Sequence, residues 1–169
     1  MRRWLDLLYD GCAALAAAAM VLLLAAVLLS ITSRQLHFLV SGLDAYAGYL
    51  MAAAGFLALA HTLKRGEHIR VTLVLAALQG RARRVLELFA LALGTLLAAL
   101  FAFYSARLAW QSHLFNDIST GNDATPLWLP QLTMALGALV LAVACVDELV
   151  LELRGQRLSP EDGEALRNE

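Results

Sequence analysis

Four histidines and two cysteines are the side chains in this 169-residue sequence whose types most directly raise the question of chemistry. His37 and His113 fall at one end of the apolar segments, His61 and His68 at the other. Either pair could ligate one haem, as in a cytochrome-b-like membrane anchor, but the spacing carries no haem signature. Cys12 and Cys145 both lie inside apolar blocks. Two thiols alone make no metal-ligand pattern, and each reads as a small buried hydrophobe. Both are expected near a reducing cytoplasmic side, where a disulfide would not persist. No Gly-rich phosphate loop, H-E-x-x-H or C-x-x-C occurs in the chain, so the motifs for nucleotide, zinc-hydrolase and dithiol chemistry are missing. The expectation is no catalytic residue, no cofactor site, no metal site and no enzyme.

Ion and proton pathways need charged side chains at bilayer depth. No Asp, Glu, Lys or Arg stands near the middle of any long apolar block here. Nor do paired Gly/Pro-interrupted segments mark a transporter's substrate site. The chain therefore reads as a structural or partner-binding protein rather than a carrier.

The elements that would position these residues are plain in the composition. Hydrophobic residues make up 60% of the chain and charged residues 16%, with a mean hydropathy of +0.67. Soluble domains are typically about 45–50% apolar and about a quarter charged. The excess lies in four uncharged blocks: Gly11–Ser33, Ala45–Leu63, Leu88–Ala106 and Ala124–Val146. A helix needs about 20 apolar residues to cross a hydrocarbon core of about 30 Å. Leu and Ala dominate without period-two alternation, which excludes membrane strands. The expected fold is all-α: an integral membrane domain over residues 1–158, with spans at about 11–33, 45–63, 88–110 and 130–150. Arg2-Arg3 resembles a signal-peptide n-region, yet the block that follows is too long and ends without a small-residue cleavage site. It reads as a retained span.

Orientation follows the basic residues near the span ends. Eleven of the thirteen Lys and Arg lie before span one, between spans two and three, or after span four. Only Arg34 and Arg107 lie on the other side. Both termini and the middle segment are thus expected to be cytoplasmic. With a net charge of −1, nothing suggests nucleic-acid binding. Trp4, Trp110 and Trp128 fall at expected interfaces, and Pro126 and Pro130 bracket the start of span four. Between spans two and three, Val71–Gly80 is apolar but too short to cross. With Arg70, Arg81, Arg83 and Arg84 at its flanks, it is expected to form a short amphipathic interfacial helix over about 70–80; a re-entrant hairpin is the alternative. Residues 159–169 are polar and expected to form a flexible cytoplasmic tail.

Small residues recur on the spans. Gly94, Ala98, Ala102 and Ala106 repeat every four residues on span three, with shorter pairs at Gly48/Ala52 and Ala138/Ala142. Such stripes let helix backbones approach in lipid. Whether the span-three stripe faces this chain's own helices or another protein is open at this level.

The stretch Leu63-Lys64-Arg65-Gly66-Glu67-His68-Ile69-Arg70-Val71 resembles a motif of the small membrane subunit of TRAP transporters (tripartite ATP-independent periplasmic transporters, the DctQ-like family). There a basic residue, Gly, a polar residue and His-Ile-x-Val follow the second span and open a short amphipathic helix. Arg34 after span one, Ser41-Gly42-Leu43-Asp44 with Gly48-Tyr49, and Pro126-Leu127-Trp128-Leu129-Pro130 with Gly137 extend the resemblance over nearly the whole chain. The chain departs from the family pattern in having only Asp44 where Trp and two Glu are common, and Thr72 where Asp is common. The resemblance implies a bacterial inner-membrane scaffold for a large permease subunit, working with a periplasmic solute-binding protein in sodium-driven uptake of an organic acid. It also gives the motif residues a place. Gly66 would make the exit from span two, and His68 and Arg70 would set the interfacial helix on headgroups. Arg34 and Asp44 are positioned to pair across the external loop. The loop from Gln111 to Thr125, with Asp117 and Asp123, would either meet the binding protein or stand free. The alternative function is a haem-carrying or anchor subunit of a redox complex.

Overall fold

The computed structural model describes residues 2–38, 40–64, 81–121 and 123–154. They form four helices: α1 (Arg2–Gln35), α2 (Leu43–Lys64), α3 (Arg81–Leu114) and α4 (Trp128–Leu153). All four are long and apolar enough to cross a membrane. The described residues hold no strand beyond an isolated bridge between Ile118 and Pro126. The helices run past the apolar blocks. The 34 residues of α1 and of α3 each rise about 51 Å at about 1.5 Å per residue, against a hydrocarbon core of about 30 Å. Nothing in the backbone stops the helix where hydrophobicity ends, so Asp6 and Asp10 continue α1, and Arg83, Arg84 and Glu87 belong to α3. At the other extreme α4 starts at Trp128, two residues ahead of the expected position near Pro130. The first four N–H groups of a helix have no intrahelical acceptor, so proline as the third residue removes no bond.

Packing follows the order α1–α2–α4–α3: α1 lies on α2, α2 on α4, and α4 on α3. The two short connections, α1–α2 and α3–α4, share one end, called here the loop end. The start of α1 and the end of α4 share the opposite, terminus end. Two clusters tie α1, α2 and α4 together. Ala16 and Ala19 of α1 meet Ala53, Ala54 and Leu57 of α2, and Tyr9 of α1 meets Ala60 of α2 with Val140 and Ala144 of α4. The interior is thus built from small residues. The large ones point out: Met20 is 59% and Phe103 62% exposed, while Ala138 is fully buried. In water that pattern would leave a large unexplained apolar surface. In lipid, where small residues allow close backbone contact and tails solvate the rest, it is the expected one.

At Gly137 the backbones of α2 and α4 come into close approach. A Cβ at Gly137 would overlap the carbonyl oxygen of Phe56 and sit 2.6 Å from its carbonyl carbon. No residue but glycine fits there without moving a backbone. At the loop end, α1 and α3 stop in the same way. His37 (φ 57°) and Asn116 (φ 53°) adopt left-handed conformations. The amides that follow each of them reach back, Phe38 to Ser33 and Asp117 to Ser112. This is the hydrogen-bond pattern of a Schellman cap, which satisfies carbonyls the helix end would otherwise orphan.

Candidate functional site

The most organised polar region joins the two connections at the loop end. Asp123 is its hub: Ser119 donates to its Oδ1 at 2.8 Å and the Tyr49 hydroxyl to its Oδ2 at 3.0 Å. The hydroxyls of Thr125 and Tyr46 lie 3.3 Å apart, and Tyr46 and Tyr49 meet edge to face at 6.1 Å. Backbone bonds from Ser119 to the Thr125 carbonyl and from Leu127 to the Asp117 carbonyl close the loop on itself. Hydroxyl donors, Thr125 first and then Ser119 and Tyr49, stabilise the carboxylate and hold Asp123 down to about 2. Gly42 accepts this hub for two reasons. Its φ is +83°, and a Cβ there would stand 2.9 Å from the Cβ of Asp123. The α3–α4 loop is therefore latched onto the turn before α2.

Beside the latch, Arg34 donates to Asp44 at 3.1 Å, with both side chains largely exposed, and Ser30 donates to the other oxygen of Asp44 at 3.1 Å. The structure thus brings Arg34 and Asp44 together across the α1–α2 turn. Sequence reasoning named that pair but missed the latch. Its only signal was the polar, turn-rich run from Ser119 to Thr125, which reads as loop without indicating what it binds.

At the terminus end, Lys64 pairs with Asp6 and its ammonium lies 5.1 Å from the Tyr9 ring centroid. His61 Nδ1 stands 3.6 Å from Asp10 Oδ1, and both it and the buried Tyr9 hydroxyl lack a hydrogen-bond partner. These contacts close α1 against α2 where the apolar blocks end. His113 packs edge-on to Trp128 at 5.2 Å, and His37 occupies the cap of α1. No three His, Cys, Asp or Glu among the described residues are placed to share a metal ion. Gly66, Glu67, His68, Ile69, Arg70 and Val71, the interfacial segment at 70–80 and the tail at 159–169 lie outside the described residues.

The α3 stripe is divided by the fold between the α4-facing seam and the exposed surface. Ala98 and Ala102 are buried, but Gly94 is half-buried and Ala106 is exposed. The buried positions run Ala98, Ala102, Ser105, Ala109, Ser112, against α4, on which α3 packs. A strict four-residue step drifts around a helix of 3.6 residues per turn, whereas alternating steps of four and three stay on one side. The seam therefore leaves Ala106 and continues on two serines that sequence reasoning passed over. Thr95 adds a polar link, donating to the Leu91 carbonyl at 2.7 Å and the Cys145 carbonyl of α4 at 3.3 Å.

Among the described residues the arrangement consists of close helix seams, a latched loop and charge pairs at the two ends. A comparison with curated proteins finds no match. The family described as tripartite ATP-independent periplasmic transporters, DctQ component, matches over residues 23–155. That stretch takes in the last part of α1, all of α2 to α4 and the latch, and with four membrane-length helices the chain belongs to this family as a multi-pass membrane component of a transporter.

Proposed function

We propose that the chain is the scaffold subunit of a TRAP transporter. It supports a large permease subunit that carries the solute, while a periplasmic binding protein delivers an organic acid and a sodium gradient drives uptake. The observation that carries this reading is the separation of charge from depth. Among the described residues, Asp6, Asp10 and Lys64 with Asp147, Glu148 and Glu152 lie toward the terminus end, and Arg34, Asp44 and Asp123 lie at the loop end. The middle of each helix offers no ionisable group to a moving ion. A subunit so built resists displacement through the bilayer and presents packing surfaces to a partner. The charge bias places both termini, the α2–α3 segment and the tail in the cytoplasm of a bacterial inner-membrane protein. Residues 1–158 then act as one domain, with the segment at 70–80 lying along the cytoplasmic interface behind Gly66–Val71.

Reconstitution tests this. Proteoliposomes with this chain alone are expected to show no sodium-driven uptake. The complete set with a large permease and binding protein should transport, and omitting this chain should abolish uptake. Sodium-driven uptake by the isolated chain would overturn the scaffold reading.

A further inference from the structure

The α3–α4 seam is flanked on one side by a cleft of about 510 Å³, a volume within the usual range of about 300–1,000 Å³ for ligand sites. Its floor is small: Ala102, Ala106 and Ala109 on α3 and Ala135 on α4. Leu132, Leu136 and Leu139 form one flank, each at least 40% exposed, so the cleft opens sideways to whatever surrounds the helices. Trp110, His113 and Trp128 gather at its loop-end mouth. From Ala102 to His113 the helix rises about 16 Å at about 1.5 Å per residue. That is the depth of one leaflet, half of a core of about 30 Å. The cleft ends at Ala102 and Leu139. Beyond them, toward the terminus end, α3 and α4 are joined by the bond from Thr95 to the Cys145 carbonyl.

We propose that this cleft holds one acyl chain of a glycerophospholipid from the leaflet at the loop end, with the ester region beside His113 and Trp128. A partner's transmembrane helix needs a groove through both leaflets, and this one stops after one. An acyl chain needs an apolar slot of leaflet depth, closed at the bilayer centre, with interfacial side chains only at the mouth. Indole rings favour that headgroup level. The small floor lets the chain lie against the helix backbones. The inference stands on the cleft and not on the transport role. Only its placement in the outer leaflet rests on the proposed topology.

The test uses the full chain in bilayers containing phosphatidylcholine with a diazirine near the middle of one acyl chain, with photo-adducts mapped by mass spectrometry. Adducts on Ala102–His113 and Leu132–Leu139 should exceed severalfold those on the equally exposed α1 surface around Met20 and Leu22. Ala106→Phe fills the cleft from an exposed position outside the buried seam, and should reduce cleft adducts to the α1 level. Ala25→Phe, on the exposed surface of α1, should leave them unchanged. Uniform labelling, meaning annular lipid only, would overturn the proposal, as would cleft adducts that persist in Ala106→Phe. Replacement of lipid adducts by protein cross-links once a large permease subunit is present would likewise overturn it, in favour of a partner segment.

Discussion

Gly137→Ala places a single methyl group where α2 and α4 come into close approach. The new Cβ would lie 2.6 Å from the Phe56 carbonyl carbon and 2.8 Å from its Cβ. The carbonyl oxygen of Phe56 is closer still, and ordinary contact begins at 3.4 Å, so the helices must separate by about 1 Å. Phe56 cannot yield alone, because it is a mid-helix residue whose ring also stacks on Phe101 of α3 at 5.8 Å. A gap of about 0.5–1 Å forfeits a quarter to a half of each contact's attraction. Ala60, Val140 and Ala144 lie on the surfaces that would part. Overpacking of this kind costs about 1–3 kcal/mol, and the better helix propensity of alanine returns up to about 1 kcal/mol. The net loss should be about 1–2 kcal/mol. Scaled as in soluble chains of this size, at about 2–4 °C per kcal/mol, Tm falls by about 2–8 °C. Half-buried Cys12 and Cys145 provide the assay, since a thiol-reactive fluorogenic dye labels them as the helices open on heating. Gly55→Ala is the matched control, because nothing lies within 4 Å of a Cβ there; it should leave Tm unchanged or raise it. Equal or greater stability of Gly137→Ala relative to the native chain would refute the close α2–α4 approach.

Other consequences can be checked separately. Asp123 has a folded-state pKa lowered to about 2, below the unfolded value of about 3.9, so its contribution is complete above the unfolded value and is lost as pH falls toward 2. Protection of the 115–127 loop against hydrogen exchange, expressed relative to the intrinsic exchange rate at each pH, should fall over that window. Asp123→Ala should already show low protection at pH 5 with little further change, whereas a native loop whose protection is unchanged at pH 2 would contradict the latch. Arg34→Ala should change stability by no more than about 1 kcal/mol, since exposed pairs contribute little; a larger loss in thermal unfolding would mean that the pair is shielded by something besides water. Cysteines introduced by Asn122→Cys and Gln79→Cys should be labelled by an impermeant reagent from the periplasmic and cytoplasmic sides respectively, and the reverse pattern would invert the topology.

The four helices were legible because charge interrupts apolar runs at their ends, and lipid demands helix of any such run. Arg34 and Asp44 were legible because they flank a connection of only seven residues, 36–42, which leaves them few other positions. The order α1–α2–α4–α3 was not legible, since all four helices carry similar Ala/Leu surfaces and adjacency depends on which small faces meet. Which residues of the α3 stripe face this chain's own helices was not legible for a related reason: in an alanine-rich chain, a regular step of four does not show where the helix turns it outward, as it does at Ala106. The Asp123 latch depends on backbone angles at Gly42 and Ala124, the latter at φ 47°, and a sequence does not display a left-handed alanine.

Placing α4 between α2 and α3 also constrains how the protein is made. Helices leave the ribosome in chain order, yet α3 has its packing partner only after α4 has been synthesised. Until then Ser105 and Ser112 face lipid or the insertion machinery, and only α1 and α2 form a finished pair. The last helix acts as a keystone, so a chain stopped before Trp128 would leave an α1–α2 hairpin and an orphan helix in the same membrane. Quality control that recognises polar side chains left facing lipid would then have a clear mark of an unfinished subunit.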